Sequence, residues 1–341
     1  MVKIAIINES KEVYNLAVHK IENYHKLRGD TVFMSTRADA WSRACRKAYL
    51  SAIFTWDLPK LVNDARMLKD LGVEIEIGGP AATYMHDYVF NGTGVEPHHG
   101  IDMRFEHVQG EFQCTFTSRG CPGHNCEFCL VQTVEGRKMI EYDDFNIPVG
   151  KNPWMCDNNI LSTSPRHQQL VVDKLSGVHN LDLNSGFDDR IFVHDPDKYW
   201  NLYRNLDLEC WRFAYDQEEQ KEPLTACVNF LHSQGVNYRK IIVFCLVGSE
   251  GQTFEEARLK LQYLIDIGCS PYPMRYKPLN SMDKSWTAKG WTDRELNLLF
   301  CFYGVPYKWR KGNWDEYVSG YVKNDPMQGK LSLPEINLRV D

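Results

Sequence analysis

The sequence predicts an α/β protein in three parts. These are a parallel-sheet domain over 1–107, a partial (β/α)6 barrel over 108–280, and an extension over 281–341 that closes the barrel. Three observations carry this reading. Apolar runs of strand length alternate with helix-spaced segments up to about residue 107. Six further strand-like segments with helical stretches between them follow from Phe112. A loop with three closely spaced cysteines comes directly after the first of those six, where such barrels carry their chemistry.

In the first part, Val2–Asn8 is an apolar run, and Val13–Leu27 has helical spacing through Leu16, Ile21, Tyr24 and Leu27. Thr31–Met34 and Leu50–Thr55 read as the second and third strands. Leu58–Leu71 reads as a helix with Pro59 in its first turn, and Val73–Ile77 as a strand ending at Gly78-Gly79-Pro80. This alternation implies a sheet covered on both faces, with ligands at the strands' carboxyl ends. Gly78-Gly79 fits such a site and fits a tight turn equally well. A hinge from Asn91 to Gly100 leads on.

The six later strands are Phe112–Thr117, Pro153–Cys156, Leu181–Asn184, Cys210–Tyr215, Lys240–Val247 and Pro271–Tyr276. Helices are expected at His167–Leu175, Pro196–Asn205, Pro223–Gln234 and Phe254–Ile267.

Composition bounds the function. Hydrophobic residues make up 43% and charged residues 25% of 341, ordinary for a globular chain with a full core. Lys+Arg 39 against Asp+Glu 45 gives −6, so no global basic field draws the chain to nucleic acid or membrane. The longest apolar run, Ile241–Val247, is too short to span a bilayer. The opening Met-Val-Lys-Ile-Ala-Ile-Ile reads as a buried strand rather than a signal peptide, so a cytoplasmic protein is expected. Of eleven cysteines, eight are scattered and read as small core residues.

The other three, Cys121, Cys126 and Cys129, are spaced C-x4-C-x2-C. Three thiolates at that spacing can converge on one metal. An iron–sulfur cluster normally takes four protein ligands, so three would leave one iron open to a small molecule. The competing reading is a zinc knuckle completed by His124 or Cys114, although no second ligand pair follows.

Thr117-Ser118-Arg119-Gly120-Cys121-Pro122, running into Cys126-Glu127-Phe128-Cys129, resembles the cluster loop of the radical SAM superfamily. The closest likeness is to the branch with a Rossmann-like, cobalamin-binding-like domain before the radical barrel, whose loop reads roughly T-R-G-C-x3-C-x-F-C. This chain has one extra residue between the first two cysteines, which the turn-formers Pro122, Gly123 and Asn125 can absorb.

The resemblance implies a [4Fe–4S] cluster on Cys121, Cys126 and Cys129, with S-adenosylmethionine on its open iron. Reductive cleavage would give a 5′-deoxyadenosyl radical that takes hydrogen from a substrate, with electrons from a flavodoxin- or ferredoxin-type donor. Phe128 would lie near the adenine, or simply pack. Asp157-Asn158-Asn159 matches the polar motif that holds the methionyl amino group; its competing reading is a cap or turn. Asp182–Arg190, with Asn184 and Gly186, resembles the branch's D-F-x-x-G-L-D-x-R. Arg190 would pair the methionyl carboxylate unless Asp188 or Asp189 claims it. Asp216 and Gln217 suit the ribose hydroxyls, and Gly248 permits close backbone approach at the adenine.

The sixth strand resembles the branch's P-Y-x-M-R-Y, which makes Arg275 and Tyr276 the candidates for facing substrate. Arg275 would hold an anionic substrate group, or else pair with Glu255 or Glu256. The Asp-x-His-x-x-Gly frame of cobalamin binders is absent, which argues against cobalamin and for a scaffold role of the first domain. The tail residues Trp286, Trp291, Tyr303, Tyr307, Trp309, Arg310, Lys311 and Trp314 raise a nucleotide or nucleic-acid base as substrate, against a small metabolite. In the bland reading they close the barrel. The rival from another class is a non-catalytic zinc-binding interaction protein.

Overall fold

The computed structural model describes residues 1–123, 126, 128–305, 308, 309 and 312–323. His124, Tyr307, Arg310 and Lys311 lie outside the described residues.

Strands β1 (Lys3–Asn8), β2 (Thr31–Ser35), β3 (Lys47–Ser51) and β4 (Glu74–Gly78) form a parallel sheet in the order β2-β1-β3-β4. Along β1, Ala5 and Ile7 pack into one core while Ile4 and Ile6 pack into another, so both faces are covered. That is why β1 reads as an unbroken apolar run. The helices Leu16–Leu27 and Leu58–Asp70 supply the crossovers. The third strand begins three residues earlier than its apolar run. Lys47 hides it, because its ammonium leaves the sheet to pair with Glu74 at 2.8 Å and with Glu76. After Ser51 the chain turns into the short helix Thr55–Asp57 instead of extending.

The six later strands all form, shorter than expected at the first three. Strands β5 (Cys114–Thr115), β8 (Trp154–Met155) and β9 (Asp182–Leu183) make one parallel sheet in the order β5-β8-β9. Strands β10 (Trp211–Ala214), β11 (Ile241–Val247) and β12 (Ser270–Arg275) make a second, in the order β10-β11-β12. A parallel bridge at Leu181↔Leu208 and an Arg212–Asp182 ion pair at 2.7 Å connect the two. The helices Pro165–Leu175, Pro196–Tyr203, Lys221–Ser233 and Phe254–Asp266 lie between the strands. Ser164 caps the first of these, and Thr253 with Glu256 forms a capping box on the last.

One element has no counterpart in the sequence reading. The two-residue strands β6 (Ser118–Arg119) and β7 (Ile140–Glu141) pair antiparallel and clamp the ends of the cysteine loop.

The carboxyl-terminal segment packs on both earlier parts. Thr55 Oγ1 donates to Ser281 O at 2.5 Å, and Lys284 pairs with Glu12 at 2.6 Å. Trp291, Tyr303 and Trp314 are buried in the large core, and the Trp291 indole N–H donates to Gln252 O at 2.8 Å. Their ring faces are thus spent on packing within that core. Among the described residues no helix is long and apolar enough to cross a membrane.

Candidate functional site

The loop between β6 and β7 is held at its base by a few short bonds. Tyr142 N donates to Thr117 O at 2.9 Å, and Cys121 N donates to Gly136 O at 3.2 Å. Gly120 has φ +80°, and a Cβ there would sit 2.2 Å from Lys138 O, so only glycine fits. Glu135 accepts Gly120 N at 3.0 Å, Asn158 Nδ2 at 2.6 Å and Arg119 Nη1 at 2.9 Å. Arg119 is also bound to Glu106, which pairs with Lys20 of the first domain. A chain of buried charges therefore runs from the helix Leu16–Leu27 to the cysteine loop.

Cys121, Cys126 and Cys129 all line one cavity of about 290 Å³. None of the three is in a disulfide. Burial pushes the Cys121 and Cys129 thiols above their usual range, opposed by backbone N–H donors from Gly123 and Val131. Phe128, Asn158, Asn159, Gly186 and Arg190 share the cavity wall with them. So do Asp216 and Gln217. Cys114, one of the two proposed fourth zinc ligands, lines a different cavity.

Two buried acceptors on this wall are left open. Asn159 Nδ2 donates to Asp188 Oδ2 at 3.0 Å, and its Oδ1 has no partner. Asp189 accepts Gln220 Nε2 at 3.1 Å on Oδ1, and its Oδ2 has no partner. Burial pushes the Asp189 carboxyl up to about 6. Buried polar atoms are nearly always satisfied, which sets these two oxygens apart from the rest of the wall.

The chain matches no family model and no curated protein.

The remaining site candidates are distributed as follows. Asp157 does not line the cavity. Its carboxylate accepts Thr117 N at 2.6 Å and Ser118 Oγ at 2.7 Å and braces the start of the hairpin. Burial raises its pKa against those donors. Arg190 lines the cavity, with its guanidinium on Asp188 at 3.0 Å, the competitor foreseen for it. Asp216 Oδ1 accepts Leu246 N at 2.9 Å, and burial raises its pKa. Gly186 has φ +79° and a virtual Cβ 2.6 Å from Arg212 O, which lets the β9 turn approach the next strand. Asn184 is exposed and off the cavity wall.

Gly248, Arg275 and Tyr276 also lie off that wall. A Cβ at Gly248 would meet Leu296 at 2.7 Å, so this glycine makes room for the helix Asp293–Tyr303. Arg275 Nη2 donates to Ser285 O at 2.9 Å and Trp286 O at 2.8 Å, and pairs with Asp293 at 2.7 Å. Its partner is thus Asp293, not Glu255 or Glu256. The Tyr276 ring lies edge-on to Trp286, with centroids 6.0 Å apart. Sequence reasoning did not find Glu135 or Gln220, and it treated Asp189 only as a rival partner for Arg190. Each is a lone polar residue with no spacing signal.

Proposed function

We propose that this chain is a radical SAM enzyme, with a partial (β/α)6 barrel made by β5-β8-β9 and β10-β11-β12. The observation that supports the reading is that Cys121, Cys126 and Cys129 line one cavity together with Asn159 and Asp189, each of which carries a buried acceptor without a partner among the described residues. That cavity lies at the carboxyl ends of β8, β9 and β10. The donor set fits the implied groups: Cys121, Cys126 and Cys129 would hold a [4Fe–4S] cluster by three thiolates. Asn159 Oδ1 and Asp189 Oδ2 would accept from the amino group and ribose hydroxyls of S-adenosylmethionine, with Asp216 and Gln217 beside them. When bound, cluster and cofactor supply one-electron cleavage of the sulfonium and hydrogen-atom abstraction from substrate.

The chain's own residues bind and orient. Glu135, Asn158 and Asp157 fix the loop that presents the thiols. Phe128 lines the cavity, and Gly186 lets the turn after β9 approach Arg212 beside it. A flavodoxin- or ferredoxin-type donor in the cytoplasm would supply electrons. The substrate would be a small molecule or a nucleotide.

The test is anaerobic reconstitution with iron and sulfide, then incubation with S-adenosylmethionine and dithionite. The wild type yields 5′-deoxyadenosine, and the three Cys→Ala variants yield none. Equal yield from any of those variants contradicts the assignment.

A further inference from the structure

A second cavity, of about 320 Å³, lies between the amino-terminal sheet and the start of the second sheet. It opens at the carboxyl ends of β3 and β4, bounded there by Ser51 and Gly78-Gly79, where parallel sheets of this kind take ligands. Gly79, at φ +97°, makes the turn. A Cβ there would meet Ala52 O at 2.4 Å, so the tight turn its sequence allowed is formed and needs glycine.

The wall is aromatic and aliphatic: Tyr14, Tyr49, Ile77, Phe105, Phe116 and Trp154. Every fully charged side chain on it is already paired. Lys20 and Arg119 hold Glu106, and Arg119 also holds Glu135. Arg104 holds Glu76 and Asp102, each at 2.6 Å. Among the described residues, no spare cation on this wall remains for a phosphate or carboxylate, and no spare carboxylate for an amine. The tyrosine hydroxyls are also engaged: Tyr14 accepts Gln113 N at 3.3 Å, and Tyr49 meets His25 Nε2 at 3.1 Å.

Among the described residues lining this cavity, one side chain carries a buried polar atom without a partner, His98 at Nε2. The residue is fixed by its backbone, because His98 N donates to Ile77 O at 2.7 Å and His98 O accepts Thr83 Oγ1 at 3.2 Å. A lone imidazole nitrogen in an otherwise satisfied apolar cavity selects one hydrogen-bonding group on a ring.

We propose that this cavity binds a neutral molecule of one or two aromatic rings, with a hydroxyl or ring N–H hydrogen-bonded to His98 Nε2. Ring stacking against Trp154, Phe116 and Tyr14 supplies the apolar contact. Its volume suits such a molecule and is several times too small for a corrinoid. The site is independent of the cysteine reading. The two cavities flank the same loop: Val134 and Glu135 face this one, and Val131 and Gln132 face the cysteines.

The test is calorimetric titration of the full chain with 1-naphthol, 1-naphthyl phosphate and cyanocobalamin. The expected result is one equivalent of 1-naphthol bound. Affinity should fall about tenfold in His98→Leu, as for loss of one hydrogen bond. Neither 1-naphthyl phosphate nor cyanocobalamin should compete. Absence of naphthol binding, equal binding of the phosphate, or displacement by cyanocobalamin overturns the proposal. Unchanged affinity in His98→Leu overturns the role of that nitrogen. If circular dichroism shows His98→Leu unfolded, Ile101→Trp decides: it fills the cavity from a loop, and wild-type affinity in that variant overturns the site.

Discussion

Asn158 Nδ2 donates to Glu135 Oε2 at 2.6 Å, and the same oxygen accepts Gly120 N at 3.0 Å. One carboxylate thus ties the end of β8 to both ends of the cysteine loop. Asn158 lies on the cavity wall, yet its amide is spent on holding the loop in place.

Glu135→Ala removes that tie and leaves Arg119 with half of its buried partners. We expect a loss of about 3 kcal/mol, typical of breaking a buried ion pair, read by urea denaturation. On the proposed cluster reading, iron retained after anaerobic reconstitution should fall with it. Glu135→Gln keeps a side-chain oxygen for Gly120 N and should retain more iron than Glu135→Ala.

Arg275→Ala tests the fastening of the last segment. With Ser285 O, Trp286 O and Asp293 released, amide exchange across 281–292 should accelerate, while iron content after anaerobic reconstitution should match the wild type if the proposed cluster forms. Loss of substrate turnover with unchanged exchange would restore Arg275 to a substrate-binding role.

Glu9 carries a pH signature. Its side chain is fully buried at the end of β1, one oxygen on Lys60 and the other without a partner, and burial pushes its carboxyl up to about 7. The folded state therefore binds more protons than the unfolded state between about pH 4.5 and 7. Stability from this group is full below the unfolded pKa and falls as pH rises through that window, by on the order of 3 kcal/mol. Glu9→Gln should flatten this part of the stability profile and leave the protein more stable than wild type at pH 8. A steeper profile in the variant would contradict the assignment.

Much of the fold was legible because its strands carry unbroken apolar runs punctuated by glycine and proline. β1 and β11 follow that rule, β4 instead alternates Glu74-Ile75-Glu76-Ile77 before Gly78, and the four later helices were legible from their helical stretches between strands. β3 was misplaced because Lys47 sits inside it and leaves by its long side chain. The β6–β7 clamp was invisible: each strand has two residues, and Ser118, Arg119 and Glu141 give no apolar alternation. The three cysteines were legible from spacing alone. Glu135, Asp189 and Gln220 were not, since a buried polar residue is defined by partners distant in sequence. Arg275 was assigned to the substrate side of the cavity from strand order, but its side chain is held by Ser285 O, Trp286 O and Asp293.

The central claim is that Cys121, Cys126 and Cys129 hold an iron–sulfur cluster, and metal content of the anaerobically purified chain tests it most directly. The account predicts a brown protein with about four irons per chain, colourless and iron-free after Cys121→Ala. A colourless wild-type protein carrying one zinc, retained when Asn159 and Asp189 are replaced, would contradict it.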